Sequence, residues 1–524
     1  MTDILKIHPS DNMAVALVDL AAGQAITVES QTLQLLSAVP AKHKVYLRDL
    51  PPDAIPRLYG MPAGQTRRAV QRGEAATPEN LAALQETLEA NLPELPAWQP
   101  PELFDLPTTF QGYRRGDGKV GTRNYLLVVY SVLCAQVVAE RAVSVARKAY
   151  GYEREDPWLD YMKGTSTVPA DIISGYPGVD DITLLQHDTG CAIGEEGDVG
   201  PLLDYMAGYI HNPNVGGVLV LGLGCEKTSI RRLQQVVGEA HKPVVYLEHQ
   251  QAGAEDTFMR AALDAIKELM PEVSHAQRQP VPAGALVLGT ECGGSDGFSG
   301  ITANPAVGVL SDLLVAQGAS VLLPEVPEMF GGERLLAARA ANPQVSTQVL
   351  ELVQRYLDYA RQSGTHLAEN PSPGNVREGL TTIQIKSLGA IQKGGTSPVM
   401  GVLDYAQPLT GSGLHLLDTP GYDVTSTAAM AASGASLMVF TTGLGTPTGN
   451  PVTPVIKIAT NHQTANNMAD IIDFDAGAVL DGESLAEVGR RLYKVAIEVA
   501  SGKQTANEVL QHYESAFWSR SATL

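Results

Sequence analysis

Hydrophobic and polar positions change their rhythm twice along the chain. Over residues 1–75, short apolar runs such as "NMAVALVDLAAGQ", "QAITVES" and "HKVYLRDL" alternate with turn residues, which predicts a small unit made mostly of strands. Residues 76–110 carry one amphipathic helical pattern, "TPENLAALQETLEANL", and then "PELPAWQPPELFDLPTT", where clustered prolines exclude helix and central strand and predict a linker. From residue 111 a different pattern repeats: an apolar β-rich run, a Gly-containing loop, a helical stretch. That alternation predicts parallel sheets covered by helices. The polar, Pro-containing stretch "MPEVSHAQRQPVPAG" interrupts it and divides this part into units 111–275 and 276–524. The predicted class is α/β, with a small N-terminal β domain followed by two α/β domains with mainly parallel sheets.

Composition changes this picture little and narrows the function. With 44% hydrophobic and 18% charged residues in 524, the chain reads as a globular enzyme. A formal charge of -20 argues against sequence-independent nucleic-acid binding, which needs an extended basic surface. No run of roughly 18 uncharged apolar residues marks a membrane span, and "MTDILKIHPSDNMAVAL" lacks the basic start of a secretory signal, so a cytoplasmic protein is expected. Its 4 cysteines are expected as thiols.

Their placement carries the chemistry. Cys134 ends "YLLVVYSVLC", Cys191 follows "ITLLQHDTG", Cys225 ends "GGVLVLGLGC" and Cys292 ends "ALVLGTEC". Ligands and catalytic groups collect beyond the carboxyl ends of parallel strands, so four strand ends could bring four thiols to one edge. The alternative is four small buried hydrophobes. Without a CxxC pair, a zinc knuckle is disfavoured, whereas thiolates on separate strand ends suit iron, as a cluster or as a single ion helped by histidine and carboxylate. His187 and Asp188 precede Cys191, and Glu226 and Lys227 follow Cys225. His187 reads equally as ligand, base or structural histidine. Neither GxGxxG nor GxxxxGK[ST] is present, which lowers the odds of a nicotinamide or ATP enzyme.

The stretches "YRRGDGKVGTRN", "HDTGC", "VLGLGCEK", "ECGGSDGFSGITANPAVG", "EVPEMFG", "ENPSPGN", "TTGLGTPTG", "PVIKIATN" and "IDFDAG" occur in order from residue 113 to residue 477. In them the chain resembles the altronate/galactarate dehydratase family from end to end, with "IHPSDNMAVAL" and "HKVYLRDL" similar to the β-clip SAF domain that members carry in front. The resemblance implies an iron-dependent hydro-lyase of sugar acids, holding Fe2+ or an iron-sulfur cluster. It would convert a 2,3-dihydroxy carboxylate such as D-altronate to a 2-keto-3-deoxy acid in a homo-oligomer, expected to be a dimer. Alternatives are a galactarate dehydratase, a sulfolactate sulfo-lyase that expels sulfite, and an inactive sugar-acid-binding relative.

On this reading Cys134, Cys191, Cys225 and Cys292 are metal ligands, and His187, His8, His43 and Lys227 are catalytic. Abstracting a proton beside a carboxylate builds charge there, so Arg114, Arg115, Lys119 and Arg123 are candidates for a carboxylate clamp. Asp11 and Asn12 would close over the site with His8 and His43, or simply form a turn. Ser295, Asp296, Thr302 and Asn304 are candidates to hydrogen-bond a polyol. One departure concerns substrate choice: Leu444 stands in "TTGLGTPTG" where the family pattern leads us to expect arginine, which favours a monocarboxylate over a dicarboxylate.

Overall fold

Apolar runs flanked by glycine form two parallel sheets in the computed structural model, which describes residues 3–29, 31–85, 88, 91–153, 162 and 175–521. Among the described residues the first sheet runs in the spatial order Ile182–Leu185, Tyr125–Tyr130, Val215–Gly222, Val244–Glu248, every pair parallel. Its two central strands are buried along their whole length, the pattern expected when helices cover both faces. Gln136–Tyr150 and Glu255–Ser274 pack against Leu126 and Val128 on one face. Val199–His211 and Ile230–Val237 pack against Leu127 and Val129 on the other.

The second parallel sheet has seven strands, in the order Val399–Leu403, Gly413–Leu417, Ser320–Leu323, Val287–Cys292, Leu437–Thr442, Val455–Ala459, Phe474–Asp475. Val287–Cys292 lies at its centre: the strands that follow in the chain fall on one side as far as residue 417 and on the other from residue 437. Such a switch of direction opens a crevice beyond the carboxyl ends of the strands, the place where open α/β sheets bind ligands. The two α/β units share a core in which Tyr205 and Met206 meet Ala428, Met430 and Phe440. Buried Arg123 reinforces the junction, donating to both carboxylate oxygens of Glu508 at 2.6 and 2.8 Å.

The front unit is an antiparallel sheet in the order Ile4–Leu5, Met13–Ala16, Lys44–Tyr46, Ala75–Ala76. It docks on the seven-stranded unit. Val15 packs with Phe298 and Ile301, and Met13 and Tyr46 pack with Leu380 and Ile385. The helical pattern expected from residue 77 is not realised where it is described: Asn80 folds the chain back by accepting from the Thr77 amide (2.9 Å) and donating to the Ala75 carbonyl (2.8 Å). Leu81–Ala82 then pairs as a strand with Gln65–Thr66, a tertiary pairing that overrides local propensity. The rest of that pattern falls partly on residues outside the described ones. The Pro-rich stretch has no helix or strand through residue 108 and is held by Arg490, which donates to the Glu102 carbonyl at 3.0 Å. Among the described residues no helix is long and apolar enough to cross a membrane.

Candidate active site

The central strand of the seven-stranded sheet delivers Cys292 to the crevice, and its neighbour Ser320–Leu323 delivers Glu325 and Glu328. Glu325 sits at φ 65°, a backbone state costly for a residue with a side chain and typical of sites where geometry matters more than local comfort. The Thr419 hydroxyl, accepting from its amide at 2.7 Å, holds it there. The short helix Val326–Met329 then turns Glu328 back toward the thiol. Lys386 comes from the helix Ile383–Ala390, whose N-cap Thr382 also donates to the Ala63 carbonyl of the front unit at 2.6 Å. Lys393 follows on the turn Ile391–Gly394.

These side chains form a buried network. Lys393 Nζ lies 2.8 Å from Cys292 Sγ and 2.7 Å from Glu325 Oε2. Cys292 Sγ lies 3.4 Å from Glu328 Oε2, and Glu328 Oε1 accepts from Lys386 Nζ at 2.7 Å. Burial works against both ammonium groups, but the anions around them raise their pKa values. Burial pushes the Cys292 thiol well up, with Glu325 adding to the push. Glu328 resists burial through Lys386 and Lys393 and stays below the usual carboxylate range. Glu325 is pushed up by burial and by Glu328.

Across the sheet lies a second acidic group, Glu291 and Asp423, which shares Glu325 with the first. Burial and Glu325 push Glu291 well up, and burial pushes Asp423 up to about 7. Cys292, Glu325 and Glu328 place one sulfur and two carboxylate oxygens within ligand distance of one another, a donor set that could hold a divalent metal. Because Lys393 already neutralises it, a metal would bind in exchange for that ammonium.

A narrow cavity of about 10 Å³ adjoins this cluster, lined by Cys292, Ser295, Asn304 and Lys386 on one side and by Lys44 and Tyr59 of the front unit on the other. A larger cavity, about 440 Å³, lies at the opposite edge of the strands and is lined mainly by glycine and apolar residues with Lys119 and His211. Its described lining contains no carboxylate, whereas the smaller cavity adjoins the buried acidic and cationic cluster.

The structure separates the four cysteines. Cys292 is buried; Cys134, Cys191 and Cys225 are exposed, on loops at the carboxyl edge of the four-stranded sheet. Those three loops are stitched together: the Leu133 amide donates to the Thr189 carbonyl (2.9 Å), and the Thr228 hydroxyl donates to the carbonyls of Ser131 (2.6 Å) and Gly190 (3.1 Å). The expected polar neighbours hold the stitching. Glu226 accepts from Ser131 Oγ at 2.6 Å and the Gly224 amide at 2.6 Å. Lys227 donates to the Ile193 carbonyl at 2.6 Å. His187 donates from Nε2 to the Tyr130 carbonyl at 2.7 Å, and burial lowers its pKa to about 4, so it is neutral.

The remaining expected residues divide between the crevice and elsewhere. Arg123 is buried against Glu508 and backbone carbonyls, and Arg115 donates to the Pro213 carbonyl (2.7 Å), Asn124 (2.9 Å) and the Arg123 carbonyl (3.0 Å). Both guanidinium groups are thus bonded within the fold, while Arg114, at the end of the strand Thr109–Arg114, and Lys119, on the turn that follows, are exposed. In the front unit, Asp11 accepts from the amide of His8 within its own turn and from those of Tyr59 and Gly60, and Asn12 accepts from the Arg57 amide, so the pair ties its turn to the loop around residues 57–60. His8 is exposed and bonded to Ser10. His43 lies at the docking surface, with Nε2 at 3.0 Å from the Arg377 carbonyl.

Asp296 is fully buried and accepts from Ser299, Thr460, Asn461 and Lys42. Thr302 donates to the carbonyls of Phe298 and Thr460; Ser295 and Asn304 line the cavity, with Asn304 donating to the Gly389 carbonyl at 3.0 Å and accepting from the Thr441 hydroxyl at 2.6 Å. Sequence reasoning missed Glu325, Glu328, Lys386, Lys393 and Lys44. The signal for the glutamates was present in "SVLLPEVPEM", where an apolar strand ends in two acids three residues apart.

Comparison with known proteins adds three successive matches: residues 2–83 to the altronate/galactarate dehydratase SAF domain, 112–274 to the D-galactarate dehydratase/altronate hydrolase second domain, and 283–523 to the D-galactarate/altronate dehydratase C-terminal domain. An altronate dehydratase of Bacillus subtilis is 34% identical over 533 aligned positions, covering 100% of both chains. A galactarate dehydratase (L-threo-forming) of Escherichia coli is 36% identical, covering 95% of this chain and 93% of its own. The beta subunit of a (2R)-sulfolactate sulfo-lyase of Chromohalobacter salexigens is 35% identical, covering 78% of this chain and 96% of its own.

Proposed function

The chain belongs to the D-galactarate/altronate dehydratase family and is a hydro-lyase, and from that premise we propose that it removes water from a six-carbon sugar monocarboxylate, D-altronate, to give a 2-keto-3-deoxy acid. The observation that carries this reading is the buried Cys292–Glu325–Glu328 cluster with Lys386 and Lys393, at the switch point of the seven-stranded sheet and under the front unit. Loss of a proton beside a carboxylate builds negative charge on that group, and a fixed ammonium in a water-poor crevice stabilises such charge strongly. Lys386, facing the cavity, is placed for this. Ser295 offers hydrogen bonds to hydroxyl groups.

Iron is the proposed metal, and two donor sets suit it in different forms. Cys292, Glu325 and Glu328 suit a single Fe2+ in exchange for Lys393. Cys134, Cys191 and Cys225, exposed on three stitched loops, suit an iron-sulfur cluster. When bound, iron supplies a Lewis acid for the departing hydroxyl. Iron content of anaerobically purified Cys292→Ser, set against the triple variant of Cys134, Cys191 and Cys225, identifies the form: iron lost from one variant and kept in the other names its ligands. Iron kept in both removes the thiolate proposal.

Substrate choice rests on Leu444. It is partly exposed, and its amide donates to the Gly294 carbonyl at 3.0 Å, so its loop abuts the loop that follows Cys292. An apolar side chain there offers nothing to a second carboxylate. The likeness to a sulfo-lyase subunit supports a second reading, release of sulfite from a 2-hydroxy acid. An anaerobic panel of hexonates, aldarates and sulfolactate, scored for 2-keto acid and for sulfite, tests both: keto acid without sulfite from D-altronate supports dehydration, and sulfite from sulfolactate alone overturns it.

A further inference from the structure

The front unit does more than cover the crevice: it brings a lysine into it. Lys44 lies on Lys44–Tyr46, one of the two inner strands of the front sheet, is buried, and lines the same cavity as Cys292 and Lys386. Its Nζ donates to two backbone carbonyls, that of Lys42 at 3.0 Å and that of Gly379, across the unit boundary, at 2.7 Å. An ammonium carries three N–H groups; a neutral amine carries two and a lone pair. Two acceptors therefore complete the needs of the neutral amine and leave its lone pair unengaged beside the cavity.

The charges around Lys44 favour the same state. The carboxylates facing it are already paired: Lys42 Nζ holds Asp296 Oδ2 at 3.1 Å and Glu378 Oε2 at 2.6 Å. Lys42 and Lys386 are cations on neighbouring walls, His43 is turned to the Arg377 carbonyl, and Tyr59 and Cys292 are buried groups whose neutral forms burial favours. Burial lowers the Lys44 pKa to about 7, opposed by Asp296.

We infer that Lys44 is the amine base of the dehydration, delivered to the Cys292 crevice by the front unit with its two N–H groups anchored and its lone pair directed at substrate. The inference rests on the dehydratase reading above. In the step, the C2–H bond breaks and the proton goes to Nζ. The electron pair of the broken C2–H bond forms the C2=C3 bond as the C3–O bond breaks, and the departing hydroxide takes the proton from Nζ and leaves as water. Lys44 is then uncharged again, and the enol tautomerises to the 2-keto acid.

The test has one arm without substrate and one with it. In the full-length protein carrying lysine labelled at the ε-carbon, NMR with Lys44→Arg to identify the signal should show Lys44 titrating near pH 7. Titration near the ordinary lysine value of about 10.4 overturns the inference. In turnover, a base with this pKa gives activity that falls as pH drops below about 7. Lys44→Met and Lys44→Arg should lose about a hundredfold or more in kcat with near-UV circular dichroism unchanged, and a small primary amine should restore part of the activity of Lys44→Ala. A Lys44→Arg enzyme that keeps the acidic limb and most of its turnover overturns the assignment. Inactivity of the unmodified protein on every sugar acid overturns the dehydratase reading and the base with it, whereas a failed NMR arm removes Lys44 alone.

Discussion

At the carboxyl edge of the four-stranded sheet three thiols face solvent, and every nearby histidine, glutamate and lysine singled out by the sequence is bonded to a neighbouring loop. At the same edge of the seven-stranded sheet one thiol lies buried among two glutamates and two lysines, roofed by the front unit. The strands beneath are alike: apolar, parallel and ended by glycine-rich turns. The difference lies in what covers them. An open edge can satisfy its polar groups with backbone and water, so charge there holds loops together. A covered edge cannot, so its charges must pair with one another, and removing any one leaves a partner buried and unpaired.

The largest expected effect comes from breaking the covered edge. Lys393→Met strips the ammonium from Cys292 and Glu325 and should cost about 3–5 kcal/mol in urea denaturation, the usual loss when one partner of a buried pair is removed. Cys134→Ser at the open edge should stay within about 0.5 kcal/mol; equal losses in the two would erase the distinction. A slightly smaller effect belongs to the open edge in acid. The folded-state pKa of His187, about 4, lies below its unfolded value of about 6.5. The stability it contributes is present above pH 6.5 and lost as pH falls through 4, about 3 kcal/mol in all. Urea midpoints measured across that range should fall in the unmodified protein and fall less in His187→Gln. The smallest is a gain: Leu444→Arg should raise activity on galactarate relative to D-altronate by about tenfold to a hundredfold, the worth of one charge-assisted hydrogen bond.

Much of the architecture was legible in the sequence because alternation of strand and helix is a local pattern: residues 125–130, 215–222 and 287–292 read as buried parallel strands from their apolar runs alone. The segment from residue 77 was misread for the converse reason. Its helical spacing is local, but its pairing with Gln65–Thr66 is not. At the crevice, Cys292, Ser295 and Asn304 could be named from the sequence because they sit on one continuous strand, loop and helix start that together line the cavity. Lys44, Lys386 and Lys393 reach the crevice from elsewhere in the chain, and no spacing rule connects residue 44 to residue 292. Arg123 and His187, bonded here to Glu508 and to the Tyr130 carbonyl, show why spacing alone does not assign a partner: a charged or titratable side chain in a motif looks the same whether it meets a ligand or a group of the fold.

The central claim is that substrate binds at the covered edge, and amide hydrogen exchange with and without a saturating sugar acid tests it most directly. Protection should appear in the loop after Cys292, through residues 293–300, in residues 377–390, and in the Lys44–Tyr46 strand of the front unit. Protection confined to the loops bearing Cys134, Cys191 and Cys225, with those three segments unchanged, would contradict it.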